Sequence, residues 1–206
     1  ICDTSVVTIL TSISNFDIDE DLEIAFCTLQ TGELHIVNKD GSYVDNFPIQ
    51  INEKVYSDLS VADFNSNGIS DVVVATDSGN IFLILDNGAI AEGFPFHADA
   101  KFRGGSSLVD IDLDNIPEII IGSDAGTIYM INGSGIPYFE TTIGESVRTS
   151  PALSIQNASL SIVVSTEVGN VYFLDEFGNV KISLNIGESP LHSPVLSDFD
   201  SNGTID

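Results

Sequence analysis

The sequence predicts an all-β protein, a β-propeller built of four-stranded blades, from a repeated acidic loop, a repeated glycine turn and strands too uniformly apolar to have a wet face. The loop occurs as "NFDIDEDLE" from Asn15, "DFNSNGISD" from Asp63, "DIDLDNIPE" from Asp110 and "DFDSNGTID" from Asp198. Those first residues are 48, 47 and 88 apart, and the last interval is two steps of 44. The skipped copy falls near residue 154, where "LSIQNASLSIVVS" keeps the strand after the loop and has lost the acids. The turn occurs as "TGELHIV", "SGNIFLI", "AGTIYMI" and "VGNVYFL", with Gly32, Gly79, Gly126 and Gly169 spaced 47, 47 and 43. Two independent markers on one period identify a tandem array.

Each unit reads as a meander. In the third, "SSLVDID" (106–112) is a first strand running into the loop, and "EIIIG" (118–122) is a second. "DAG" then turns the chain into "TIYMI" (127–131), and "NGSG" supplies hairpin chemistry before a more polar fourth strand around "IPYFETTI". "VVVA", "EIII" and "IVVS" are apolar at consecutive positions, so both faces must be covered. Four-stranded sheets arranged radially do this, at about 40 to 50 residues per blade. Helix signals are almost absent. Residues 1–206 are expected to form a single propeller segment, with blades beginning near 9, 57, 104, 149 and 192. That gives four blades and the start of a fifth, a fragment of a larger propeller whose open apolar faces call for further blades or domains.

Charge is the outlying feature of the composition: 31 Asp plus Glu against 6 Lys plus Arg, a formal charge of -25. Nucleic acid is excluded as a partner, since its binding needs clustered bases. No apolar run approaches the roughly 18 residues that span a bilayer, so no direct membrane insertion is expected. The start, "ICDTSVVTIL", lacks a signal-peptide pattern and an initiator Met, and reads as an internal piece of something longer. Cys2 and Cys27 alone cannot define a disulfide framework; they read as two unrelated small hydrophobes, with a bridge between them as the alternative.

Alternating oxygen side chains around a glycine suit a hard cation, because calcium takes six to eight oxygens from carboxylates, amides and carbonyls. Positions 1, 3 and 5 of each nine-residue loop point inward, and position 6 reverses the chain to bring a carbonyl at 7 and a carboxylate at 9 to the same point. The expected ligand sets are Asn15, Asp17, Asp19, Asp21 and Glu23 in blade 1, and Asp63, Asn65, Asn67, Ile69 (carbonyl) and Asp71 in blade 2. Blade 3 offers Asp110, Asp112, Asp114, Ile116 (carbonyl) and Glu118; blade 5 offers Asp198, Asp200, Asn202, Thr204 (carbonyl) and Asp206. Asp, Asn and Gly are also ordinary turn residues; what favours metal is their register across four loops. Carboxylate count makes blade 3 the expected tightest site.

These motifs, D-x-[DN]-x-[DN]-G-x-x-[DE] before an apolar strand, resemble the FG-GAP or VCBS-type repeats of bacterial surface proteins and, more distantly, of integrin alpha-subunit propellers. "GFP" (93–95) and "SPAL" (150–153) are similar to blade consensus segments. The resemblance covers essentially the whole chain and implies calcium-binding blades, with no metal in blade 4, where Ile155 replaces Asp and the loop is two residues shorter. Glu20 and Asn115 stand at the glycine position of blades 1 and 3, and Asn tolerates a left-handed backbone better than Glu does.

Catalytic signals are thin. His35, His97 and His192 lie at unrelated repeat positions, and no G-x-S-x-G or H-E-x-x-H motif occurs. Lys54, Lys101, Arg103 and Arg148 all fall in connectors between blades, joined by His192, on the face opposite the loops. Two readings follow: a positive rim that holds an anionic ligand such as a uronate, or bases that neutralise neighbours such as Glu53, Asp58 and Glu145. The overall expectation is a noncatalytic, secreted or cell-surface calcium propeller for adhesion or for recognition of protein or carbohydrate. The alternative is an accessory or catalytic domain of a secreted polysaccharide lyase or peptidase. "GSDAGTIYMINGSG" also looks like pyrroloquinoline-quinone or assembly-scaffold repeats, which usually carry a docking tryptophan that this chain lacks.

Overall fold

The computed structural model describes residues 7–19, 21–98, 100–156, 159–190 and 192–199. All of its regular structure is β, in four antiparallel four-stranded sheets whose strands follow chain order. Blade 1 holds β1 (Val7–Ser14), β2 (Glu23–Thr28), β3 (Glu33–Val37) and β4 (Ile49–Gln50). Blade 2 holds β5 (Ser60–Ala62), β6 (Asp71–Ala75), β7 (Asn80–Ile84) and β8 (Phe96–His97). Blade 3 holds β9 (Ser107–Val109), β10 (Glu118–Gly122), β11 (Thr127–Ile131) and β12 (Pro137–Thr142). Blade 4 holds β13 (Ala152–Gln156), β14 (Ser159–Ser165), β15 (Asn170–Asp175) and β16 (Val180–Asn185).

The consecutive apolar runs are explained by the way the blades pack. All five residues of β6 and of β10 are buried. In β6, Val72 and Val74 enter the core shared with blade 1, while Val73 and Ala75 enter the core shared with blade 3. In β10, Ile119 and Ile121 face blade 2, and Ile120 faces blade 4. Three such interfaces hold the four blades together. Each fully buried aliphatic side chain contributes about 1.5–3 kcal/mol, so these interfaces supply most of the folding free energy.

Connectors close each interface from one rim. Val55, Phe102 and Val147 are fully buried there. Beside them, the Asp77, Asp124 and Glu167 N–H groups donate to the carbonyls of Lys54, Lys101 and Ser146 at 2.8, 2.9 and 3.0 Å. The periodic glycines now have a physical reason. Gly79 and Gly126 have φ of +87° and +77°, and a Cβ on either would run into the backbone of the connector passing over it, at Ala98 and Glu145 respectively. The "NGSG" turn is likewise accounted for locally: Asn132 Oδ1 accepts from the Ser134 and Ile136 N–H groups at 3.0 and 2.9 Å.

One strand differs from expectation. The first strand of blade 3 ends at Val109 rather than near 112, because Asp110 already belongs to the loop and accepts from the Asp114 and Asn115 N–H groups. In blade 4 Ile155 stays in the ladder opposite Leu160, and Gln156 pairs with Ser159. Cys27 is buried in the core between blades 1 and 2, where burial pushes its thiol up to about 12; Cys2 lies outside the described residues.

Candidate metal centres

The three described loops share one construction. Position 9 is the first residue of the second strand, so the strand ladder fixes its carboxylate in the interior: Glu23, Asp71 and Glu118 are each at most 1% exposed. One oxygen of each accepts the N–H of position 2. The donors are Phe16 (2.8 Å), Phe64 (2.9 Å) and Ile111 (2.9 Å). In the first two loops positions 1, 3 and 5 then wind around that anchor by accepting N–H groups two residues on, as positions 3 and 5 do in the third. In the first loop Asn15, Asp17 and Asp19 accept from Asp17, Asp19 and Asp21 at 3.1, 2.9 and 2.7 Å.

In blade 1 the loop brings one oxygen each of Asp17, Asp19 and Glu23 within 4.8 Å of one another. Oxygens sharing a calcium ion at about 2.3–2.6 Å lie at most about 5 Å apart, so the set fits. Glu23 Oε1 is buried with no hydrogen-bond partner among the described residues. Burial raises the Glu23 pKa, only partly offset by the Phe16 N–H, and Asp17, Asp19 and Asp21 push it up further. Asn15 Nδ2 donates to the Asp19 carbonyl at 2.9 Å. The Asp21 carboxylate turns outward to Lys39, which leaves Asp21 only its carbonyl to offer. Glu20 lies outside the described residues.

Blade 3 repeats the set with Asp110, Asp112 and Glu118, again within 4.8 Å. Leu113 and Asn115 take φ of +63° and +70°, so Asn115 performs the reversal expected of glycine. Asp114 Oδ1 accepts the Ile116 N–H at 2.7 Å, and Asp112 Oδ2 accepts the Tyr138 hydroxyl at 2.7 Å. Burial raises the pKa of Glu118, and the three loop aspartates add to it.

Blade 2 keeps this construction and adds a residue that the nine-residue pattern missed. Asp63 accepts from Asn65, Asn67 and Gly68, and Asn67 Oδ1 accepts the Ile69 N–H at 2.8 Å. From the β7–β8 hairpin, Asp86 Oδ1 accepts Nδ2 of both Asn65 (3.2 Å) and Asn67 (3.1 Å), while its N–H donates to Asp71 Oδ1 at 2.9 Å. Burial pushes Asp71 up to about 6 against the pull of the Phe64 and Asp86 N–H groups. Read in sequence, Asp86 is one more turn acid in "LDNG". Of the last loop's expected ligands only Asp198 is among the described residues; Asp200, Asn202, Thr204 and Asp206 lie outside them.

On the opposite face, connector bases meet turn acids of the neighbouring blades. Lys101 and Arg103 contact Asp77 at 3.1 and 2.9 Å; Arg103 also reaches Asp124 (3.0 Å), Arg148 reaches Asp124 (2.7 Å), and Arg148 continues to Glu167. Arg103 lies over the Tyr56 ring, 4.7 Å from its centroid. Burial would raise the pKa of Asp124, but Arg148 and then Ser146 and Arg103 outweigh it and hold the carboxyl below its usual range. Glu53 and Glu145 instead accept from Thr76 with Asn80, and from Thr166 with Asn170. The Lys54 and His192 side chains are exposed, and neither forms an ion pair with a described residue.

Fold and repeat together define the chain as a β-propeller protein. Its sequence matches no family model, and no curated protein is detectably similar to it. Solved propeller structures share its fold. BBS1N, crystallised with ARL6DN, superposes with a TM-score of 0.68 at 14% identity, over 90% of this chain and 56% of that one. BamB from Moraxella catarrhalis gives 0.60 at 12% identity, over 87% of this chain and 49% of that one. The chain thus spans about half the length of the propellers it matches.

Proposed function

We propose that this chain is a noncatalytic recognition module, a propeller whose acidic loops bind calcium and whose surface engages a protein partner. The observation that carries the metal reading is the partnerless buried Glu23 Oε1, which converges with Asp17 and Asp19 on a calcium-sized gap. A buried anionic oxygen without a donor costs stability, and a divalent ion removes that cost. The blade 3 set of Asp110, Asp112 and Glu118 has the same form. The similarity of the loops to FG-GAP and VCBS-type blades supports the same ion, and sites of this class fill outside cells, which makes the protein secreted or surface-attached. A protein partner is supported by the fold neighbour solved as a complex with ARL6DN.

The test is a thermal melt of the whole chain in calcium and in a chelator, with isothermal calorimetry on the wild type and Glu23→Gln. Calcium raises the melting temperature of the wild type, and the variant loses one binding event. Identical melts in calcium and chelator, with no heat of calcium binding, refute the proposal.

A further inference from the structure

We infer that the cleft between blades 3 and 4 takes a basic side chain, a guanidinium or ammonium group, from a protein partner. This names the partner chemistry of the recognition module proposed above; Asp112 also belongs to the blade 3 metal set, so with calcium bound the open charge of the cleft is that of Glu176. The cleft, of about 330 Å³, is lined by Ile111, Asp112, Met130, Tyr138, Glu176 and Phe177. Met130 is buried and forms an apolar floor, whereas Tyr138 and Phe177 are 50% and 72% exposed. Two carboxylates, two accessible aromatic rings and no base are what a cation needs: opposite charge for the head group and ring faces for the head and its stem.

The repeat supplies an internal comparison. Counting from the hairpin glycines Gly41, Gly88, Gly135 and Gly178, the position of Tyr138 is Val44, Ala91 and Lys181 in the other blades. The position of Phe177 is Asp40, Asn87 and Ser134. At the junction of blades 1 and 2 the same place is lined by Val44, Asp86 and Asn87. At blades 2 and 3 Gly133 is pressed against Ile116, where an added Cβ would come within 2.6 Å. Only the third junction has an exposed aromatic at both positions. The Tyr138 hydroxyl donates to Asp112 at 2.7 Å, which fixes the ring beside the carboxylate.

Charge selects among guests. Of the six Lys and Arg residues, Lys39, Lys101, Arg103, Arg148 and Lys181 are each in an ion pair with an acid of the same chain. The surface therefore offers an anionic guest little, and a cationic guest a net charge of -25 to approach. Arginine with its planar fork suits the two carboxylates and rings better than lysine.

The experiment is an NMR titration of the isotope-labelled whole chain with acetyl-Gly-Gly-Arg-Gly-Gly-amide, its lysine counterpart and its neutral citrulline counterpart, in calcium and in chelator. Shifts are expected at Tyr138, Glu176 and Phe177, with arginine binding about tenfold tighter than citrulline. Phe177→Ala and Glu176→Gln, both on an exposed hairpin tip, should each weaken binding about fivefold. Citrulline binding as well as arginine, or arginine shifts that avoid the cleft, overturn the inference, as does a neutral oligosaccharide that shifts these residues when arginine does not. Intact calcium binding with no arginine-dependent shift sinks the cleft alone; arginine binding without calcium binding supports the cleft and refutes the metal reading.

Discussion

Asp71 predicts that calcium inverts the pH dependence of stability. It is 0% exposed, and its carboxyl is pushed from an ordinary 3.8 up to about 6, chiefly by burial. A raised carboxyl makes the metal-free fold hold its proton more tightly than the unfolded chain does. The contribution is therefore complete below about pH 4 and lost as pH rises through about 6. A shift of about two units corresponds to about 3 kcal/mol, or about 6–12 °C in melting temperature for a chain of this size. Glu23 and Glu118 are raised as well and act in the same direction. The lowered carboxyls, Asp40, Asp124, Asp175 and Glu145, lose their contributions only as pH falls below about 4.5, so they stay constant through this window.

In chelator, Asp71 alone should thus lower stability by about 1.5 kcal/mol between about pH 5 and 7.5, the other half of its contribution being lost between about pH 4 and 5, and Glu23 and Glu118 add to the fall. In calcium it should rise over the same range, because the metal binds only ionised ligands and protons compete with it. Urea unfolding followed by circular dichroism reads both curves, and Asp71→Asn should remove much of the chelator slope. A chelator curve that is flat or rises with pH, or a slope that survives Asp71→Asn unchanged, refutes the reasoning.

Two further outcomes are expected. Arg148→Ala should lower stability by about 0.5–1 kcal/mol, most of it absent at high salt, because the guanidinium that links Asp124 to Glu167 is 43% exposed and screened; urea midpoints at low and high ionic strength check this. Gly135→Ala should cost about 2 kcal/mol or more, since its φ is +74° and a Cβ there would collide with the Gly93 carbonyl. Gly41→Ala, with φ of +84° and nothing within 4 Å, should cost only the backbone penalty of about 1 kcal/mol, and equal melts for the two variants would contradict the packing argument.

Period and hydrophobic runs made the fold legible because both are consequences of stacking: identical sheets need identical turns, and covered faces need unbroken apolar strands. β10 and β11 occupy the residues the pattern assigns them, 118–122 and 127–131. The loops were legible for the same reason, since position 9 must begin a strand. Contacts between blades were not. Glu53 and Glu145 are near the connector bases in sequence, yet the bases reach Asp77, Asp124 and Glu167, which the offset of one blade against the next brings beside them. Asp86 was hidden likewise: it enters the second loop from a hairpin that begins after the third strand, a relation no nine-residue motif contains.

The position of Asp86 brings charge to a loop from outside its nine residues. Its equivalents are Lys39, Gly133 and Glu176. Lys39 puts a positive charge on Asp21 beside the first loop. Asp86 gives the second loop an additional carboxylate and engages the amides of Asn65 and Asn67, the two uncharged side chains of the expected set. Gly133 adds nothing to the third loop, whose tight packing against Ile116 excludes a side chain. Glu176, in the blade whose loop sequence has lost its acids, accepts from Ser159 and lines the aromatic cleft instead. Across the four blades this one position of the hairpin carries a base, an acid, a glycine and an acid. Each blade's local field is thereby set independently of the motif, and a scaffold of near-identical sheets acquires chemically distinct tips.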